Sequence, residues 1–436
     1  MNDPAPTQPS KNPFVRFLAA LGPAIITASV VLGPGSILAN STMGANYGYQ
    51  MAWLLVIAVC LMIGMTALST RLGVVMDKTI GEEIAHRAGR PLAVLTGVTI
   101  FLIASCFQFS NNLGVLAAIE PFHDGTSKAI PIGLLALVNG TALAALFLAR
   151  DLYKYIENLM KILVGLMVCG FIGNLIMAQP SMSGILQGFI PSLPEGTFET
   201  ILPKRGVNDT FKPVIAMIGT TFSIAAAYYQ SYLVQQKGWT IKDYRSGIID
   251  TLTGIGMLGL ISLVIMCTAS AAFYGKPIVS QLTDAAAFAK QLEPSFGPGA
   301  KYLFCAGIFA GAISSFLVNA LIGGAMMSDG CGMGGRMEDR GVRIFTSIAL
   351  LMGFAVASYI IIKEQKPVNL IIFAQGATVI GGPLVACVLI WLALQSDLKP
   401  KISNRLIIIA LIGMLFTFFA ALRTALSVYY QLTPDS

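Results

Sequence analysis

Gly33-Pro34-Gly35-Ser36 stands in the middle of an apolar run that begins near Phe17 and continues from Ile37 to Tyr47. A helix that crosses a bilayer needs about 20 consecutive apolar residues. Two glycines around a proline at its centre oppose a continuous helix, because proline removes a backbone donor and glycine accepts non-helical backbone. Irregular backbone survives at membrane depth only where protein buries it or where it lines a polar cavity. The stretch therefore admits two readings: a binding site between two half-helices, as secondary transporters use, or a proline kink without a ligand.

The rest of the chain repeats the apolar theme. Of 436 residues, 55% are hydrophobic and 11% charged, with a mean hydropathy of +0.75. That balance excludes an ordinary soluble domain and indicates an all-α polytopic membrane protein. A β-barrel would show short alternating segments instead. Eleven spans are expected, over 17–47, 50–76, 92–119, 131–150, 158–178, 212–236, 249–275, 299–327, 343–362, 368–394 and 405–430. Asp77 to Gly89 is amphipathic and suits the membrane interface. The segment 179–211, rich in Pro, Gly and Ser, reads as the longest external loop. With the N-terminus inside, the inner segments carry eighteen Lys and Arg and the outer segments nine, with Arg423 within the last span. This bias predicts a cytoplasmic N-terminus and, with an odd span count, an external C-terminus, in a plasma membrane (the inner membrane in a bacterium).

Six of the seven cysteines lie inside apolar runs and none pair as a metal clip, so they read as small packing residues. The two histidines, His86 and His123, fall in loops, no phosphate-binding loop is present, and no enzymatic constellation is visible. The basic residues are scattered over loops, which argues against nucleic acid. No cofactor and no resident metal are expected. A second candidate interruption lies at Gly219-Thr220-Thr221-Phe222-Ser223-Ile224-Ala225-Ala226-Ala227, in the sixth span. It matches the first in position if spans one to five and six to ten form two inverted repeats. It contains no proline, however, and its alanines suit a continuous helix equally well.

These residues resemble the natural resistance-associated macrophage protein (NRAMP) family of divalent-metal transporters. The likeness runs through Leu21-Gly22-Pro23-Ala24, Gly33 to Ser36, Met43-Gly44-Ala45-Asn46-Tyr47-Gly48-Tyr49, Arg71-Leu72-Gly73-Val74-Val75 and Ser231-Tyr232-Leu233-Val234-Gln235. It continues through Phe304 to Gly324, with Ala312-Ile313-Ser314-Ser315, and reaches Ala374-Gln375. The resemblance implies a LeuT-type fold: two inverted five-helix repeats, first and sixth helices unwound at the centre, alternating access and, often, proton coupling. On that scheme the chain divides into a tail over 1–16, a first repeat over 17–178, an external loop over 179–211, a second repeat over 212–394 and an eleventh span with the C-terminus over 395–436.

The same resemblance exposes departures. Where the family carries the Asp and Asn of an Asp-Pro-Gly-Asn motif, this chain has Gly33 and Ser36. Ser223, Ile224 and Ala225 stand for Met-Pro-His, and Gln230 for a further histidine. Gln108 and Asn111 replace a carboxylate pair tied to proton passage, and Asn40 replaces an acid after the first unwound stretch. Gln375 is retained. The nearest methionine, Met217, lies more than a helical turn from Ser223.

A bare dication needs carboxylate, imidazole or thioether donors, and the expected cavity has none. Two half-helix N-termini, Gly33 and Gly35, and the hydroxyls of Ser36, Thr220, Thr221 and Ser223 suit an anion or a carboxylated solute instead. The leading expectation is thus a secondary-active transporter of bicarbonate, a short carboxylate or an amino acid, with Gln375 as a further ligand. Asn40, Gln108, Asn111, Tyr228 and Gln230 are assigned to the pathway or its gating, with helix–helix adhesion and aromatic packing as alternatives. The alternative cargo is a divalent cation (Mn, Fe or Mg) at a rebuilt site; a second alternative is a non-transporting membrane sensor. Beyond the bilayer and the substrate, sodium is favoured over a proton as coupling ion, because amides release no protons.

Overall fold

The computed structural model describes residues 22–122, 128–149, 151–194, 198–207, 209–277, 279, 285–363 and 368–433. Among the described residues sixteen α-helices follow one another: α1 (Pro23–Val31), α2 (Pro34–Tyr47), α3 (Ala52–Val75), α4 (Ile80–Ala88), α5 (Arg90–Ala117), α6 (Ala129–Leu148), α7 (Leu152–Ala178) and α8 (Met182–Gly188) form the first half. The second half holds α9 (Lys212–Thr221), α10 (Ile224–Gln236), α11 (Tyr244–Phe273), α12 (Ala285–Phe296), α13 (Pro298–Gly330), α14 (Arg340–Lys363), α15 (Val368–Ala393) and α16 (Asn404–Leu432). Among the described residues, eight helices are long and apolar enough to cross a membrane unbroken, and α1 with α2 forms a ninth span bent by 59°. The pair α9 and α10, and the 26-residue α15, fall at the places expected for the sixth and tenth spans.

Both interruptions are present. α1 ends at Leu32, and Gly33, extended at φ −73° and ψ 175°, starts α2 with Pro34 in its first turn. Proline is favoured there because the N–H it lacks has no helical partner at that position. In the sixth span, Phe222 (φ −96°, ψ 76°) and Ser223 (φ −90°, ψ 100°) leave helical geometry between α9 and α10. The continuous-helix reading of that stretch is thereby set aside.

Burial sorts the helices into core and rim. The most apolar window of α13 is 83% buried and that of α6 only 22%, so α13 runs through the middle and α6 faces lipid. α13 packs on α5, α14 and α7. Glycines make the close crossings: a β-carbon on Gly170 would lie 2.8 Å from the Leu303 carbonyl, and one on Gly254 2.8 Å from the backbone of Ala24. Small residues at crossings are how membrane helices gain packing when lipid supplies no hydrophobic drive. Every residue of α1 is buried. Its N-terminus is closed by Asp250 of α11, whose carboxylate accepts the Gly22 N–H at 2.6 Å and the Ala24 N–H at 2.9 Å. A carboxylate there satisfies orphan donors and complements the helix dipole.

Candidate functional site

The break between α1 and α2 is enclosed by three other elements. From α13, Ser315 directs its hydroxyl at the carbonyls of Ser29 (2.8 Å) and Val30 (3.0 Å), and Ser314 reaches Ser29 at 3.4 Å. These carbonyls sit in the last turn of α1, where no helical donor follows. From α5, Asn111 brings Oδ1 to 3.5 Å from where a β-carbon of Gly33 would stand, and Ser315 Oγ lies 2.8 Å from the same point. Gly114 of α5 packs on the Pro34 ring. From α9, Thr220 faces the break, its methyl 4.0 Å from the β-position of Gly35. Asn111 thus lies beside Gly33, and the Thr220 methyl beside Gly35.

The hydroxyls and amides around it are not equivalent. Asn40 donates Nδ2 to the Ser36 carbonyl (2.8 Å) and hydroxyl (3.2 Å), one turn along α2, and among the described residues its Oδ1 finds no partner. Asn111 Nδ2 and Thr221 Oγ1 are likewise buried without one. Thr220 turns its hydroxyl back to the carbonyls of Ala216 (2.9 Å) and Met217 (3.1 Å) in its own helix. Ser223 caps α10 by accepting the Ala226 N–H at 3.4 Å. The sequence reading of α10 as an open half-helix N-terminus is corrected here, because the chain's own hydroxyl takes one of its free donors. Ser223 also lines a cavity of about 50 Å³ together with Ile103, Phe222, Gly382, Phe416 and Thr417, and no residue of the first span borders it.

Other expected site residues lie apart from the first break. Gln108 packs against α14, where a β-carbon on Gly353 would stand 2.6 Å from its Cγ, and among the described residues neither end of its amide has a partner. Its neighbour Asn112 accepts from Asn139 Nδ2 at 2.8 Å and so joins α5 to α6, an instance of adhesion between helices. Gln230 accepts the Thr27 hydroxyl at 2.5 Å and ties α10 to α1. Tyr228 is buried and stacked on Tyr232, with ring centroids 6.1 Å apart. The side chain of Gln375, in α15, falls outside the described residues.

Two functional features escaped the sequence reading. Ser314 and Ser315 carried only the family resemblance, with no role assigned to them. Asp250, an acid within an apolar run, was passed over, although intramembrane ionisable residues mark functional sites by default. Among the described residues, no group of three or more His, Cys, Asp or Glu is placed to hold a metal ion.

A sequence profile described as natural resistance-associated macrophage protein-like matches residues 24–429. The chain belongs to the NRAMP family. Similar NRAMP relatives include the divalent metal cation transporter MntH of Deinococcus radiodurans, 25% identical over 394 residues, covering 89% of this chain and 85% of that protein. MntH of Klebsiella pneumoniae is 29% identical over 318 residues, covering 71% and 72%. The fold matches that of the Eremococcus coleocola manganese transporter, with a TM-score of 0.78 and 16% identity, covering 98% of this chain and 89% of that one. It also matches MhsT, solved with L-phenylalanine, with a TM-score of 0.61 and 16% identity over 93% and 98% of the two chains. This NRAMP protein is an all-α, LeuT-type, multi-pass membrane protein.

Proposed function

We propose that this NRAMP protein is a secondary-active transporter that carries a divalent metal cation by alternating access, at a site rebuilt from neutral groups beside the first helix break. The observation that carries the reading is the lining of the first break by neighbouring helices, Asn111 beside Gly33 and Thr220 beside Gly35, with Asn40 bonded to Ser36 just beyond it. Relatives over most of the chain are named as divalent metal cation transporters, which supports a cation over the anion expected from the lost acids. Burying a bare dication among amides and hydroxyls is costly. A cation that keeps much of its water shell asks less, since amide and hydroxyl oxygens then accept from bound water instead of replacing it. Magnesium dehydrates reluctantly and fits that description.

The Lys and Arg bias supports a cytoplasmic N-terminus and an external C-terminus. Amides at Gln108 and Asn111 support sodium over a proton as the coupling ion. A second reading, a small anion or polar organic solute, is favoured by the α2 N-terminus, where Gly33 leaves the backbone open and, among the described residues, no acid lies beside it.

The test is uptake into proteoliposomes of manganese, magnesium, bicarbonate and a labelled short carboxylate, under imposed sodium or proton gradients. Saturable divalent uptake, lost in Asn111→Leu, is expected. Bicarbonate or carboxylate uptake with no divalent flux would promote the second reading.

A further inference from the structure

Arg423 lies in α16, outside the two five-helix repeats, and its side chain is 2% exposed. A guanidinium stays charged in proteins, so one buried within a membrane span persists only where its donors are taken up. Its Nε donates to the Ile201 carbonyl at 2.8 Å, one Nη donates to the Thr200 carbonyl at 3.2 Å and to Asp209, and its plane lies 5.2 Å from the Phe211 ring centroid. Every one of these partners belongs to the segment that leads directly into α9, which starts at Lys212. The same segment receives the hydroxyl of Tyr47, the last residue of α2, on the Thr210 carbonyl. The far ends of both interrupted helices therefore meet on one short loop, which Arg423 ties to the eleventh span from a buried position, while Arg205 of the same loop reaches Thr433 at 3.1 Å and lies 5.6 Å from the Tyr430 ring centroid at the exposed end of α16.

We infer that Arg423 is a positioning residue: it fixes the ends of α2 and α9 opposite Asp250 and so sets how far the two half-helices separate at that end. The ionic partner and both carbonyls come from a loop, not from packed helices, so the Arg423 tie is the buried restraint on the loop's distance from α16, beside the exposed contacts of Arg205 with Thr433 and Tyr430. Ordinary packing alone would be served by an apolar side chain, without the desolvation of a charge. The inference draws on the transporter reading only for its consequence in uptake.

The test is hydrogen–deuterium exchange on the full chain in lipid nanodiscs for Arg423→Met, Arg423→Lys and Tyr47→Phe. Arg423→Met and Arg423→Lys are expected to speed exchange at least tenfold over residues 43–47 and 209–221, with little change over 224–236. Lysine does not rescue, since it cannot span two carbonyls and a carboxylate as a planar fork does. Tyr47→Phe, a milder change that keeps the fold, speeds exchange at 43–47 and 209–212 alone. In proteoliposomes, Arg423→Lys raises the apparent KM for manganese several-fold with a smaller change in maximal rate. Unchanged exchange at these segments, a uniform rise across all helices, or an unchanged KM would each overturn the proposal. A wild-type protein that moves no manganese would count against the proposed function, while the exchange results would still decide this one.

Discussion

At the first break the chain is interrupted by Gly33 and Pro34, and the exposed carbonyls of α1 are served by Ser314 and Ser315 from α13. At the second, no proline or glycine stands at the gap: Phe222 and Ser223 leave the helix, and Ser223 caps α10 itself. The Phe222 ring is buried beside Phe416 at 6.2 Å, and a β-carbon on Gly413 would stand 2.8 Å from it. The first break is thus local in origin and completed by a neighbour. The second is imposed by tertiary packing against α16 and completed locally. An interruption in a helix needs both a cause and a partner for the freed groups, and the two can come from different distances along the chain.

The largest expected effect tests the enclosure of the first break. Gly33→Asp would restore the acid that the NRAMP resemblance leads one to expect, yet its β-carbon would stand 2.8 Å from Ser315 Oγ. Overpacking of this kind costs about 1–3 kcal/mol, to which a buried charge adds. Uptake of the divalent cargo is expected to fall at least about tenfold, the change equivalent to about 1.4 kcal/mol. Gly33→Asp with Ser315→Ala relieves the contact and should recover part of it. Equal loss in single and double variants would show that Ser315 does not constrain the break.

The next effect asks whether the two interrupted spans are coupled through Thr27 and Gln230, bonded at 2.5 Å. Thr27→Val leaves the buried Gln230 amide with its Oε1 unserved, beside an Nε2 that already lacks a protein partner. Leaving one buried polar group unpaired costs about 1–3 kcal/mol. The thermal midpoint of the purified protein should drop, and Thr27→Val with Gln230→Leu should be less destabilised than the sum of the singles. Strict additivity would mean the breaks are held independently.

These two pairs also show why the sequence revealed one break and not the other. Glycine and proline punctuate a helix by their own backbone chemistry, so 33–36 was readable from four letters. Phe222 and Ser223 are ordinary helix residues, and it is the contact of Phe222 with Phe416 and Gly413, about 190 residues later, that sets this stretch apart. The eleven spans were legible because length and hydropathy alone define them. Site membership was less so: Gln108 and Gln230 are polar residues in apolar runs, as Asn111 is, but only Asn111 reaches the first break. Helix rotation decides that, and a short polar cluster leaves rotation undetermined.

A comparison of stabilities sharpens the account of the second break. If packing of Phe222 makes the gap and Ser223 merely finishes it, then Ser223→Ala loses only the cap, about 0.5–2 kcal/mol, and Ser223→Asp retains most of it. Phe222→Ala removes the cause and should cost about 3–5 kcal/mol in stability. Thermal unfolding of the three variants checks the order. A Ser223→Ala loss as large as that of Phe222→Ala would make the break local after all.

The smallest effect concerns pH and lies away from both breaks, whose described side chains are amides and hydroxyls that do not titrate. Arg87 of α4 donates to both oxygens of Asp397, at 2.8 and 2.7 Å, and to Glu83 at 2.7 Å. The Arg87 hydrogen bonds hold the Asp397 carboxyl down at about 2, against about 3.9 in an unfolded chain. A lowered folded-state value means stability that is present above about pH 4 and lost as pH falls toward 2. Asp397→Asn should therefore lower the melting temperature slightly at neutral pH, and the gap between variant and parent should close as the pH drops through that window. Because Asp397 is fully exposed to solvent, salt should shrink the difference as well. A gap that instead widened with acid would assign the acid sensitivity to a group other than this pair.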